Sequence, residues 1–293
     1  MIIGIIPNTH KEEISQVTGE FVKHLEIYGF DYFISNELNK THFRGSIRDS
    51  AFIPQEEIFR RSDIIVSIGG DGTMLNTAYL ARNSSAPLIG LNIGKLGFLA
   101  EFDLNRIDEL LNEIKDGQYT IEKRMVLEGD CITCNNQNLF AINDIVIDKG
   151  GWPKMIEISI EVNDEYVTTF VADGLIIATP TGSTGYSLST GGPVISPTAD
   201  VIALSPISPH TLNMRPLVLD SSRKIRLSVK SQFEYIQVSC DGQRVYSLNP
   251  PAEILIYKST RNVSLVHVHS TNYFKILREK LYWGIDVRKI NQV

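Results

Sequence analysis

Gly69-Gly70-Asp71-Gly72-Thr73 is the run in this chain best suited to chemistry. It follows a β-branched stretch, residues 64–68, and leads into a helical pattern beginning at Thr73. Glycines leave bare amides where a strand ends, and amides at the start of a helix suit a phosphate. A lone carboxylate among them can reach a substrate hydroxyl. The plainer reading is a tight turn whose Asp71 caps the helix. A second cluster runs from Thr179 through Thr181, Gly182, Ser183, Thr184, Gly185, Tyr186, Ser187 and Ser189 to Pro193, just after Asp173-Gly174. Its hydroxyls and amides can hydrogen-bond a nucleotide, with the Tyr186 ring beside them, or they can make a plain Ser/Thr/Gly turn. Third, Asn143-Asp144 interrupts the apolar run 140–147. A buried polar pair must be satisfied by protein or by ligand. Asp241-Gly242-Gln243 reads most simply as a hairpin turn, and residues 206–212 as a proline-punctuated loop holding His210.

Two common nucleotide signatures are missing. Gly90-Leu91-Asn92-Ile93-Gly94-Lys95 is one residue short of a P-loop and is followed by Leu96 instead of a hydroxyl residue, and no GxGxxG occurs. Cys131 and Cys134 lie in a strand-like run, where an offset of three points them to opposite faces. They and the pair His267/His269 are assigned to structure.

The elements that must hold these groups fall into two textures. Residues 2–7, 31–35, 64–68 and 87–91 read as strands, and residues 11–28, 73–82 and 104–114 as helices, with Gly29 and Gly117 as stops. Alternation of strand and helix implies a mostly parallel sheet, so residues 1–118 form an α/β, Rossmann-like domain. Residues 36–54, with Lys40, His42, Arg44 and Arg48, read as an irregular loop near a site. From 119 to 270 many short β-rich runs follow one another without long helices, which implies an antiparallel, sandwich-like β domain. The tail, 271–293, contains one more helical pattern, 273–282, that is expected to return to the first domain.

Composition narrows the partners. At about 150 residues per domain, the length is that of two domains. With 28 Lys+Arg against 34 Asp+Glu the net charge is −6, a poor basis for nonspecific binding to nucleic acid or acidic membranes. No uncharged apolar stretch reaches the ~18 residues of a membrane span. Three cysteines do not make a disulfide framework, so the cytoplasm is the expected compartment.

Taken together the motifs resemble those of the NAD kinase family, whose members phosphorylate the 2′-hydroxyl of the adenosine ribose of NAD. Residues 69–73 look like the family's GGDGT, 92–98 like its NxGxLGF, and Asn143-Asp144 like its NE/ND pair. Residues 182–189 match its glycine-threonine stretch ending in YSLS, while 209–212 and 241–243 match PHTL and DGQ. GGDG alone also occurs in phosphofructokinases and diacylglycerol-type lipid kinases; all six motifs in this order are specific.

The resemblance implies roles. Asp71 would accept the hydroxyl proton as the phosphoryl group moves, with Gly69, Gly70 and Thr73 as the phosphate loop and Gly72 binding the nucleotide. Asn143 and Asp144 would hold the ribose, Asp173 the other half of the dinucleotide, and Thr181, Thr184, Gly185, Tyr186, Ser187 and Ser189 the adenosine side. Gln243 would complete the pocket, Lys154 falls where many members are basic, and His210 would reach a neighbouring subunit of a dimer or tetramer. The implied substrates are NAD and ATP, or polyphosphate, with Mg²⁺ held by their phosphates and no dedicated protein cage. Asn76 stands where many members carry a basic residue. The rival readings are a GGDG kinase of lipids or sugars, and a non-catalytic NAD sensor.

Overall fold

Isoleucines leave the first strand little choice: β1 (Ile2–Pro7) is buried almost throughout. α1 (Ile14–Tyr28) then lays Val17, Phe21 and Leu25 on that sheet and stops at Gly29, whose φ of +78° only glycine adopts without strain. The chain continues through β2 (Asp31–Ser35), β3 (Phe52–Ile53), α2 (Gln55–Arg61), β4 (Ile64–Gly69), α3 (Asp71–Leu80), β5 (Leu88–Asn92), β6 (Phe102–Asp103) and α4 (Ile107–Lys115). The strands lie in the order β3-β2-β1-β4-β5, all parallel. This computed structural model describes residues 1–43, 45–94, 97–132, 138–268 and 272–282; Arg44, Lys95, Leu96, Cys134 and His269, singled out above, lie outside them. The chain divides into two compact units: Met1–Glu122 with the chain from Ser264 onward, and Lys123–Val263.

One expectation for the first unit is corrected. Residues 36–54 are not an irregular loop. They form two short 3-10 turns, Lys40–Phe43 and Asp49–Ala51, and sink Leu38, Phe43, Ile47 and Ala51 into the core. The apolar residues there follow no helix or strand period because single turns bury one residue each. α2 escaped the sequence reading for a similar reason, since Ile58 is its one buried residue.

The second unit is a sandwich of antiparallel sheets. It contains β7 (Tyr119–Cys131), β8 (Asn138–Ala141), β9 (Asp144–Asp148), β10 (Ile156–Val162), β11 (Glu165–Ala172), β12 (Gly174–Ala178) and the single turn α5 (Tyr186–Ser189). β13 (Val201–Ile207), β14 (Leu217–Asp220), β15 (Ile225–Lys230), β16 (Ile236–Cys240), β17 (Arg244–Leu248) and β18 (Ala252–Val268) follow. One sheet runs β11-β10-β15-β18, with β7 beside β18 and β8 beside β7. The other runs β14-β13-β12-β9-β16-β17. Alternate residues such as Ile158, Leu227 and Ile254 from one sheet share a core with Ile147, Leu175 and Val238 from the other. β18 ends in the first unit, where Leu265 pairs in parallel with Leu88 of β5. The final helix, α6 (Tyr273–Leu281), is capped by the Asn272 side chain.

Two further readings change. Residues 252–268, expected to be short separate β-rich runs, form one strand, β18. Pro206 and Ile207 are strand rather than loop, closing β13. β14 stops opposite Leu204, so Pro206, which has no N–H to give, sits where only one neighbouring strand remains. Among the described residues no helix is long and apolar enough to cross a membrane.

Candidate functional site

In the first unit the glycine run sits where β4 ends and α3 begins. Asp71 is the first residue of α3, after Gly70 in an extended conformation. An acid there complements the positive end of the helix. Its carboxylate is occupied. Oδ1 accepts the N–H groups of Leu99 and Ala100 at 3.0 and 2.9 Å, and Oδ2 accepts that of Phe98 at 2.9 Å. Asp71 therefore fixes the backbone of residues 98–100. Gly97 is required beside it, because a Cβ there would lie 1.8 Å from Asp71 Oδ1. A carboxylate offers about four acceptor positions. Among the described residues Oδ2 carries one hydrogen bond and retains room for a hydroxyl.

Thr73 turns inward rather than toward solvent. Its Oγ1 accepts from Asn8 Nδ2 at 3.0 Å and from the Gly70 N–H at 3.4 Å, and it fills the place a Gly69 side chain would take. Gly70 has nothing within 4 Å of a hypothetical Cβ, and Gly72 is exposed, so both leave an open approach to the helix start. Beside them Lys11 donates to the Ile93 carbonyl at 2.6 Å. Asn8 and Lys11 were not singled out in the sequence. Their one signal is position just past β1, at the same end of the parallel sheet as the glycine run.

In the second unit Asn143 and Asp144 occupy the break between β8 and β9. The backbone there is held from two directions. Thr179 donates its N–H to the Asn143 carbonyl at 2.8 Å and its hydroxyl to the Ile142 carbonyl at 2.5 Å. The Asp241 carboxylate accepts the N–H groups of Ile142 and Asn143 at 2.9 and 2.7 Å. With the backbone so anchored, the side chains are left for something else. Among the described residues Asn143 Oδ1 and Thr181 Oγ1 are buried without a hydrogen-bond partner. Gly185 lies against them, a Cβ there falling 3.8 Å from both Asn143 Nδ2 and Asp144 Oδ2. Gly182 packs so close that a Cβ would meet the Asn143 carbonyl oxygen at 2.0 Å.

Electrostatics separate the two acids. Burial, and then the Asp241 charge, push the Asp144 carboxyl up to about 7. Burial also raises Asp241, but the amides of Asn143 and Ile142 and the Arg244 guanidinium oppose it. Those amides and the guanidinium favour the charged form of Asp241, and near neutrality Asp144 exchanges its proton. A protonated carboxyl both donates and accepts, which suits it to a pair of hydroxyls.

Other residues singled out in the sequence fall elsewhere. Asp173 is engaged by Lys149 Nζ at 2.6 Å. Ser187 is fully buried and hydrogen-bonds Ser205 Oγ at 2.8 Å. The Thr184 and Ser189 hydroxyls donate within their own turns, to the carbonyls of Thr181 and Tyr186. The Tyr186 ring is 49% exposed and open to a ligand. Lys154 is exposed and donates to Gln232, and exposed Gln243 sits in the β16–β17 turn. His210 is exposed, tied to Val171 only through its backbone.

Comparison with known proteins agrees in both units. The ATP-NAD kinase N-terminal domain model matches residues 3–119, and the ATP-NAD kinase C-terminal domain model matches residues 142–268. An NAD kinase of Thermoanaerobacter sp. (strain X514) is 40% identical over 281 residues, covering 95% of this chain and 98% of that protein. The chain belongs to the NAD kinase family. Another relative, an NAD kinase of Heliobacterium modesticaldum, is 43% identical over 227 residues, 77% of this chain and 80% of that one. Among solved structures, a yeast NADH kinase complexed with NADH superposes with a TM-score of 0.88 at 26% identity, covering 98% of this chain and 89% of that one. An NAD kinase from Archaeoglobus fulgidus in complex with ATP gives a TM-score of 0.73 at 25% identity, covering 96% and 99%.

Within this NAD kinase family member Asp241, which the sequence placed in the DGQ match without a role of its own, holds the β8–β9 break. It was read as part of a turn, and it is one: Asp241 and Gly242 have φ of +55° and +65°. From that turn its side chain reaches back to the β8–β9 break, a long-range contact with no local signal in the sequence.

Proposed function

We propose that this chain is an NAD kinase that transfers the γ-phosphoryl group of ATP to the 2′-hydroxyl of the adenosine ribose of NAD, giving NADP and ADP. The observation that carries the reading is the β8–β9 break: buried Asn143 Oδ1 and Thr181 Oγ1 without hydrogen-bond partners among the described residues, beside the Asp144 carboxyl. Such a set matches vicinal hydroxyls, which both donate and accept. Relatives solved with NADH and with ATP support a dinucleotide acceptor and a nucleotide donor.

In this reading Asp71 orients the attacking hydroxyl through Oδ2 and takes its proton while the new O–P bond forms and the bond to ADP breaks. The amides around Gly70 and Gly72 stabilise phosphate charge at the start of α3. A divalent metal, Mg²⁺ by charge and hardness, would neutralise the phosphates when bound with the donor. Its oxygen ligands would come mainly from the substrate phosphates. A homo-oligomer in the cytoplasm, dimer or tetramer, completes the proposal.

The test is NADP formation from NAD, ATP and Mg²⁺ by the purified protein, read with an NADP-specific dehydrogenase. Product from polyphosphate but not ATP would keep the acceptor and change the donor. Measurable NAD binding without product from either donor would refute the kinase reading in favour of a sensor.

A further inference from the structure

We propose that Asp241, paired with Arg244, is a positioning residue for the nucleotide site: it fixes the backbone of residues 142–144 so that the Asn143 and Asp144 side chains face the ribose. This deepens the NAD kinase reading above and rests on it.

β8 pairs with β7, and β9 pairs with β12 and β16. Residues 142 and 143 fall in the gap between those ladders, so no strand receives their N–H groups. Asp241 Oδ1 takes both, at 2.9 and 2.7 Å, with the Asp144 N–H further out at 3.4 Å. In return the Asp241 N–H donates to the Asp144 carbonyl at 2.9 Å. One turn residue thus holds both sides of the break.

Its carboxylate is held in turn. Arg244, three residues on, donates Nη2 to Asp241 Oδ2 at 2.7 Å and to the Phe140 carbonyl at 3.0 Å. The Asp241 side chain is fully buried and that of Arg244 is 14% exposed. A buried charge of this kind is tolerated because one cation and two amides satisfy it. The arrangement joins Phe140 near the end of β8, through Arg244 and Asp241, to the first residue of β9. The opposite side is closed by Thr179. The geometry leaves the Asn143 and Asp144 side chains as the parts of the break free to meet a ligand. Asp241 also acts on Asp144 by charge. Among the described residues, the ionisable groups that interact with Asp144 are Asp241 and the buried Cys240 thiol.

The experiment measures steady-state kinetics of the full chain across roughly pH 5.5 to 9, varying NAD and ATP separately. Asp241→Asn is expected to raise the KM for NAD about tenfold, the loss of one charge-assisted hydrogen bond, while the KM for ATP is unchanged. A limb of kcat/KM for NAD is expected near pH 7 in the wild type and at lower pH in this variant, because Asp144 loses its like-charged neighbour. Arg244→Gln is expected to raise the KM for NAD similarly, and the double variant is expected to be no worse than the poorer single one, as for a unit. A folded Asp241→Asn protein with unchanged KM for NAD and an unmoved pH limb would overturn the proposal. So would equal losses for NAD and ATP, which mark general loosening. Should Asp241→Asn not fold, Asp241→Glu keeps the charge and displaces the oxygens: a raised KM for NAD with the pH limb in place is expected, and an unchanged KM overturns the idea. A wild-type protein inactive on NAD would overturn the kinase reading and this inference together, whereas an active wild type with insensitive variants sinks the clamp alone.

Discussion

Asp144→Asn should stabilise this protein at alkaline pH and not at acid pH. In the folded chain the Asp144 carboxyl titrates near 7, against 3.8 for an ordinary carboxyl, chiefly because it is buried. Between those values the folded state keeps a proton that the unfolded state has released. Proton uptake therefore favours folding, and stability is lost as pH rises from about 4 through about 7. About three units at ~1.36 kcal/mol each set an upper bound of ~4 kcal/mol, and relaxation around the site should leave roughly 2 kcal/mol to measure. Asparagine keeps the shape and carries no charge, so the variant avoids the cost. Thermal or urea unfolding of both proteins at about pH 4.5 and about pH 8 reads the difference, with ~2–4 °C in Tm per kcal/mol expected for a unit of this size. The gap should be small in acid and open progressively toward pH 8. A gap that is flat across this range, or largest in acid, would refute the reasoning, since it would mean that Asp144 is ionised in the folded state throughout.

Asp71→Asn should lose turnover by orders of magnitude and also lose stability, by about 1–3 kcal/mol, because an amide NH₂ cannot accept all three N–H groups now bound by the carboxylate; undiminished stability in unfolding experiments would show that those bonds are not made. Gly182→Ala should weaken NAD binding and lower Tm, since its Cβ would press on the Asn143 backbone at 2.0 Å, whereas Gly70→Ala, with open space around it, should leave Tm nearly unchanged; calorimetry with and without NAD compares the two. The Cys240 thiol, pushed up to about 12 by burial, should resist a thiol reagent at about pH 8 until denaturant is added; rapid labelling of the native protein at Cys240 would contradict its burial.

The parts of this fold that were legible in the sequence were those with local causes. Isoleucine-rich strands, the 14/17/21/25 stripe of α1 and the stop at Gly29 depend on period and backbone freedom, which residues carry with them. The glycine run at 69–73 was legible because its amides, its strand and its helix lie together in the chain. Elements with little burial of their own were not. α2 buries one residue, and β14 and β17 are sheet edges whose alternation is blurred by exposed Leu217, Val218 and Val245. At the candidate site, Asn143-Asp144 stood out because polar residues broke an apolar run. Asp241 did not, because its partners lie almost a hundred positions away and a turn fully accounts for an Asp-Gly pair.

The two acids that anchor the candidate sites do the same physical work. Asp71 takes the N–H groups of residues 98–100, and Asp241 takes those of 142 and 143, each at a place where the regular ladder lapses. In both, an aspartate side chain stands in for a missing strand and sets the course of a loop bearing the motif next to it. The consequence is a rule for reading variants of this enzyme. Loss of activity on neutralising either acid follows from a displaced loop as readily as from lost proton transfer, so turnover alone does not separate the two. Proton transfer changes the pH dependence of the rate at saturating substrate, while displacement changes affinity and unfolding. For Asp71 the distinction rests on Oδ2, which among the described residues takes a single N–H of the loop and keeps an acceptor position for a hydroxyl.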